Sequence, residues 1–147
     1  MGRYSFDIDI DAPRDQVFDL FVNLDRMVEW AAGATRVTDI KGVADKAGTK
    51  YRLWHGVLVS DVEVIDAARP FYVRTRTKMG QIKAITNATF EARQDGSTRL
   101  RASLSSTGLL GSVWARIVSA GSWRGSLHHE LSEFARLVER EASNRPS

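Results

Sequence analysis

The 147-residue chain contains no cysteine, which excludes a disulfide scaffold, a thiolate zinc site and a cysteine nucleophile. Its three histidines, at positions 55, 128 and 129, do not have the spacing of a metal site. No apolar run approaches the ~20 residues of a membrane span, and the first residues lack the apolar core of a signal peptide. We therefore expect a cytoplasmic protein that holds neither a metal nor another cofactor.

The composition is that of an ordinary globular protein, with 43% hydrophobic and 27% charged residues. This length fits one domain that buries a core unaided, so we expect a single domain over residues 1–142 and a frayed tail over 143–147. A net charge of +3 is too small to indicate a nucleic-acid partner. We expect a monomer or a homodimer.

One long helical pattern dominates the chain, from about Leu109 to Glu141. Apolar residues recur every third or fourth position, which keeps them on one face of a helix. Arg124 interrupts this apolar stripe, and Gly121 and Gly125 flank it, although a glycine inside a helix costs about 1 kcal/mol. Close packing or a kink would explain the glycines. Room for a ligand beneath the helix, with Arg124 as its polar anchor, is the other interpretation, unless Arg124 extends to solvent.

Upstream of this helix, alternation of apolar and polar residues predicts strands. The first covers Tyr4 to Ile10, and Pro13 then opens a short helix, followed by another from Asp25 to Trp30. The remaining predicted strands are Arg36–Ile40, Thr49–His55, Val57–Ile65, Phe71–Lys78, Gln81–Glu91 and Thr98–Ser105.

Turn residues predict how these strands pair. A turn at His55-Gly56 would place Leu53 opposite Leu58, with opposite charges facing each other across the hairpin. Residues 66–70 are expected to interrupt the sheet. Because the helices are segregated from a run of antiparallel strands, we predict an α+β fold with about seven strands curved around the long C-terminal helix.

Several motifs resemble those of a known family. They are Ile10-Asp11-Ala12-Pro13 followed by Val17-Phe18-Asp19, then Glu29-Trp30, Gly48-Thr49-Lys50-Tyr51-Arg52, Arg69-Pro70 and Asp95-Gly96-Ser97-Thr98-Arg99-Leu100. Together they resemble the START-like (SRPBCC) superfamily with the helix-grip fold, and within it the polyketide cyclase/dehydrase and lipid-transport branch. This resemblance implies a deep cavity between the sheet and the C-terminal helix that accepts a hydrophobic small molecule.

The predicted inward face of the strands is apolar with several hydroxyl groups, a mixture that suits a pocket where a few polar groups orient a ligand. Threonine is also simply a good strand residue, so the set argues for a pocket more than any single member does. The candidate ligand-binding residues from the strands are Tyr51, Leu53, Thr75, Thr77, Thr86 and Phe90.

Three further candidates come from outside the strands. Trp30 and Trp114 are placed at the cavity rim, with core packing as the alternative for both. His128, on the flank of the helix stripe, could reach the cavity and act as a general base. The apolar loop Gly108–Gly111 is a candidate lid.

The outer face of the second hairpin is basic, with Arg74, Arg76, Lys78 and Lys83. A solvated edge that resists aggregation explains it, as does docking of an acidic protein or an anionic membrane surface.

Three functions follow from these patterns. The first is binding of a hydrophobic ligand that is aromatic, polyketide-like or lipid-like. The second is catalysis of the aromatase/cyclase type, in which Arg124, Tyr51 and the threonine hydroxyls polarise carbonyl groups and His128 or water moves protons. The third is a protein-interaction module that uses the basic outer face. No catalytic motif in the sequence decides whether the chain is an enzyme.

Overall fold

The computed structural model describes residues 2–31, 34–80, 82–107 and 122–144, and only the backbone of residues 2–4, 82, 106, 107, 122–129 and 144. Strand β1 is followed by helix α1, a short 3₁₀ helix, strands β2 to β7 and helix α2. Their bounds are β1 Gly2–Ile10, α1 Arg14–Phe21, the 3₁₀ helix Leu24–Glu29, β2 Arg36–Lys41, β3 Lys50–His55, β4 Leu58–Ala68, β5 Tyr72–Met79, β6 Ile82–Ala92, β7 Thr98–Thr107 and α2 Ser122–Asn144.

The seven strands form one antiparallel sheet in the order β1-β7-β6-β5-β4-β3-β2. Each hairpin neighbour in the chain is a neighbour in the sheet, and β1 closes back onto β7, with Ile8 opposite Leu100. The predicted α+β helix-grip architecture is confirmed: a curved antiparallel sheet, short helices after the first strand and a C-terminal helix. None of the helices in the described segments is long and apolar enough to cross a membrane.

The β3–β4 hairpin corrects the predicted register. Its loop is Gly56-Val57, with His55 opposite Leu58, so Leu53 pairs with Ser60 and not with Leu58. Gly56 supplies the positive φ of +67° that the turn needs. The error is two residues, and side chains alternate with a period of two, so each residue of β3 keeps its predicted face. Leu58 pairs with His55 at the end of the hairpin, where it is 57% exposed.

Two irregularities bend the sheet. The register of β2 on β3 shifts by one residue between Thr38 and Lys41, and that of β4 on β5 shifts between Val64 and Asp66. Such bulges increase local twist and curvature. The predicted break at residues 66–70 is shorter than expected, because β4 continues to Ala68.

An aromatic cluster holds the helices to the sheet. Phe21 of α1 stacks on Trp30 at 5.3 Å and meets Phe90 of β6 edge to face at 5.3 Å. Phe134 of α2 packs against Trp30 at 4.8 Å and against Phe21 at 5.5 Å. The predicted helix is thus confirmed over residues 122–141, and it continues to Asn144. Its expected first part, Leu109 to Gly121, lies outside the described residues.

Polar contacts fix the C-terminal end of α2. The Asp11 amide donates to a carboxylate oxygen of Glu139 at 2.8 Å, and the Arg26 guanidinium donates to Glu141. The buried Thr98 hydroxyl donates to the Ala12 carbonyl at 2.7 Å, which joins β7 to the segment before α1. This end of the molecule is therefore closed by packing and by hydrogen bonds together.

Truncation of Phe134 tests the role of the cluster. Because this ring is fully buried, Phe134→Ala should lower the free energy of unfolding by about 3–5 kcal/mol. Urea denaturation measures the change, with the exposed Arg136→Ala as a control expected within about 0.5 kcal/mol of the parent. Equal stabilities of the two variants would contradict this account of the core.

Candidate ligand-binding site

The inner face of the sheet divides into two halves along the strands. At one end, Ala88, Phe90, Leu100 and Ala102 are buried in the core beside α1 and α2. At the other end, two cross-strand rows mix apolar and hydroxyl side chains at intermediate or full burial. One row is Tyr51–Val62–Thr77–Ala84, and the next is Val64–Thr75–Thr86–Leu104.

Tyr51 is the most informative residue of the hydroxyl-bearing half. Its side chain is only 7% exposed, and it lies directly opposite Val62 of β4. Burial raises the pKa of the Tyr51 hydroxyl well above the ordinary value of 10.0, so the group is neutral at physiological pH. A neutral hydroxyl in these surroundings can form a hydrogen bond with a polar atom of a bound molecule.

Trp30 is buried in the aromatic cluster, with 6% of its surface exposed. Its indole Nε1 is buried and has no acceptor within the described part of the chain. Phe90 is also in this cluster, in edge-to-face contact with Phe18 at 5.2 Å. Both side chains therefore contribute to core packing, which was the alternative interpretation for Trp30.

The three candidate threonines lie close together on the inner face. Thr75 is directly opposite Thr86, and Thr77 occupies the adjoining row in line with Tyr51, two strands away. Two strand spacings are about 10 Å, so a small molecule could contact both Tyr51 and Thr77. Leu53, half-buried against the core, extends the apolar wall along β3.

His55 was not a predicted site residue, since its place near a turn favoured an exposed side chain. It is instead half-buried, on the same face of β3 as Tyr51, and its Nδ1 atom is buried with no partner among the described residues. The alternation of β3 places it inward, and that signal was available from the sequence. It adds a second polar group to the hydroxyl-bearing half.

The structure describes little or nothing of the remaining candidate residues. The α2 backbone carries Arg124 and His128, but their side chains are outside the description. Trp114 and the loop Gly108–Gly111 lie outside the described residues altogether. Within the described segments, no group of three or more histidine or acidic side chains could hold a metal ion.

Comparison with known proteins gives a likeness of fold. No family model matches the chain, and no curated protein matches it. A protein from Helicobacter pylori superposes with a TM-score of 0.77 at 10% identity, covering 93% of this chain and 88% of that one. A protein from Nitrosospira multiformis gives 0.75 at 15% identity, covering 98% of this chain and 100% of the other.

A further similar structure is the di-domain ARO/CYC StfQ from the steffimycin biosynthetic pathway. It has a TM-score of 0.71 and 17% identity, covering 97% of this chain and 47% of StfQ. The chain thus spans about half of that protein. At these identities the comparisons show a shared helix-grip fold.

The burial of Tyr51 predicts a pH dependence of stability. Its proton is held more tightly in the folded state, so its contribution is complete below about pH 10 and is lost as pH rises further, by up to about 1.4 kcal/mol per pH unit. Urea denaturation from pH 8 to 11 should show Tyr51→Phe losing less stability than the parent above about pH 10. Parallel stability curves for the two proteins would show that the hydroxyl is not buried in solution.

Proposed function

We propose that the protein binds a hydrophobic small molecule between the inner face of the sheet and helix α2. The observation that carries this proposal is the buried His55 Nδ1 atom, which has no partner among the described residues and lies on the same face of β3 as the buried Tyr51 side chain. Buried polar atoms in proteins are normally hydrogen-bonded, and a ligand with a polar atom would supply the partner of this nitrogen.

The lining favours an uncharged ligand with at least one hydrogen-bonding oxygen or nitrogen atom. Val62 and Val64 are buried and Leu53 is half-buried, so most of the contact area is apolar. The hydroxyls of Tyr51 and the threonines are neutral hydrogen-bonding groups, which orient a carbonyl or phenol without requiring a formal charge, and the His55 ring adds a further hydrogen-bonding nitrogen. An aromatic, polyketide-like or lipid-like molecule has this combination of features.

Native mass spectrometry tests the proposal first. The mass of the purified protein under native conditions is compared with that of the same sample denatured, and a retained small molecule is then identified. If the protein is isolated empty, a thermal-shift screen of hydrophobic compounds supplies the ligand, because binding to the folded state raises the melting temperature.

Removal of one hydroxyl locates the site. Tyr51→Phe should weaken binding of that ligand by about fivefold to tenfold, the loss expected for one hydrogen bond. Tyr72→Phe is the matched control, because the Tyr72 hydroxyl donates to Asp66 at 3.0 Å on the exposed face. Equal affinities of the two variants would place the ligand elsewhere, and no binding by any compound would contradict the proposal itself.

A catalytic role of the aromatase/cyclase type is the second candidate, and the likeness in fold to the di-domain ARO/CYC StfQ favours it. In that case Tyr51, the threonines and Arg124 would polarise carbonyl groups of a poly-carbonyl chain, while His128 or water moves protons. Any cyclisation activity should then fall by about 100-fold or more in His128→Ala. Turnover that survives both Arg124→Ala and His128→Ala would rule out these roles.

A further inference from the structure

The outer face of the sheet concentrates the lysines of this protein. The chain has five lysines, at positions 41, 46, 50, 78 and 83. Four of them, all except Lys46, line a single groove of about 520 Å³. The groove crosses β2 to β6 on the side of the sheet opposite the candidate ligand-binding site.

The register arranges these charges in two adjoining rows. One row is Lys41–Lys50–Glu63–Arg76, and the next is Arg52–Asp61–Lys78–Lys83. Lys41 is therefore directly opposite Lys50, and Lys78 is directly opposite Lys83. Like charges in such positions destabilise a sheet, so two lysine pairs in one groove need an explanation other than stability.

The carboxylates that line the groove form ion pairs with its arginines. Arg52 Nε is 3.1 Å from Asp61 Oδ1, and Arg52 Nη1 is 3.9 Å from Asp39 Oδ2. Arg76 Nη1 is 3.7 Å from Glu63 Oε1. The four lysines form no ion pair with any described residue, so their ammonium groups remain available to an external anion.

On the other half of the outer face, positive charges are paired with carboxylates. There Asp9 pairs with both Arg93 and Arg99 at 2.9 Å, while Arg101 lies 3.8 Å from both Asp7 and Glu91. Arg74, which the sequence grouped with Arg76 and Lys78, lies opposite Asp66 and outside the groove. The groove lysines are thus set apart from the half of the outer face in which arginines and carboxylates pair with each other.

The bulge in β2 positions one of the two lysine pairs. Asp39 has a left-handed backbone with φ of 55°, and the register shift beside it brings Lys41 opposite Lys50. This conformation is uncommon outside glycine, and such residues are found where local structure serves a function.

We propose that the groove docks an acidic segment of a partner protein. The two lysine pairs are centred three strands apart, a separation of about 14 Å across the sheet. A compact phosphate cannot bridge that distance, whereas an extended chain with acidic residues at both ends does. A flat lipid surface does not enter a groove, and the lining has no exposed aromatic ring on which a nucleic-acid base could stack.

Fluorescence anisotropy with a labelled heptapeptide tests the proposal. The peptide carries two glutamates at each end and three serines between them, and it spans about 20 Å when extended. It should bind at low ionic strength and weaken as salt screens the charges, while the same peptide with glutamines should not bind. Anionic vesicles and tripolyphosphate serve as alternative probes.

Lysine variants connect any binding to the groove. Lys50→Gln combined with Lys78→Gln removes one ammonium group from each pair and should weaken peptide binding by about tenfold. Lys46→Gln, an exposed lysine outside the groove, is the matched control and should leave binding unchanged. The double variant relieves like-charge repulsion, so it is expected to fold, and its melting temperature checks this.

Three results would overturn the proposal. The first is failure of the glutamate peptide to bind at low salt, and the second is equal binding to the parent and the double variant. The third is lysine-dependent binding of the vesicles or of tripolyphosphate without binding of the peptide, which would assign the groove to a membrane surface or a small anion. None of these results affects the inner-face ligand site, because Tyr51 is intact in every variant.

Discussion

Contact among four aromatic rings determines how the elements of this protein are placed. Phe21, Trp30, Phe90 and Phe134 come from α1, the residue after the 3₁₀ helix, β6 and α2, and their centroids lie 4.8 to 5.5 Å apart. The cluster therefore fixes α2 against the sheet at one end. Because side chains fill that end, we place the proposed ligand site in the hydroxyl-bearing half of the inner face.

The same strands serve two surfaces of opposite character because successive side chains point to opposite faces. On β3, Tyr51 is buried while Lys50 and Arg52 are exposed. The inner surface is apolar with neutral hydrogen-bonding groups, and the outer groove is polar with unpaired ammonium groups. A two-residue period thus separates the proposed hydrophobic-ligand site from the proposed docking surface by only one sheet thickness.

The sequence predicted the fold and the face of most strand residues, because burial follows the alternation that residue types reveal. On β3 this held even though the hairpin turn was misplaced, since an error of two residues leaves the faces unchanged. The lack of a partner for His55 Nδ1 among the described residues could not be predicted, because it depends on the atoms that surround the ring. The convergence of four lysines also required the register of five strands and the bulge near Asp39.

The pairing of β1 with β7 has a consequence for folding on the ribosome. The first strand ends at Ile10, and its partner begins at Thr98. At common rates of translation, β1 is synthesised on the order of ten seconds before that partner exists. During this interval the alternating apolar residues of β1 lack the strand beside which they later pack, so this segment is exposed to aggregation until β7 has been synthesised.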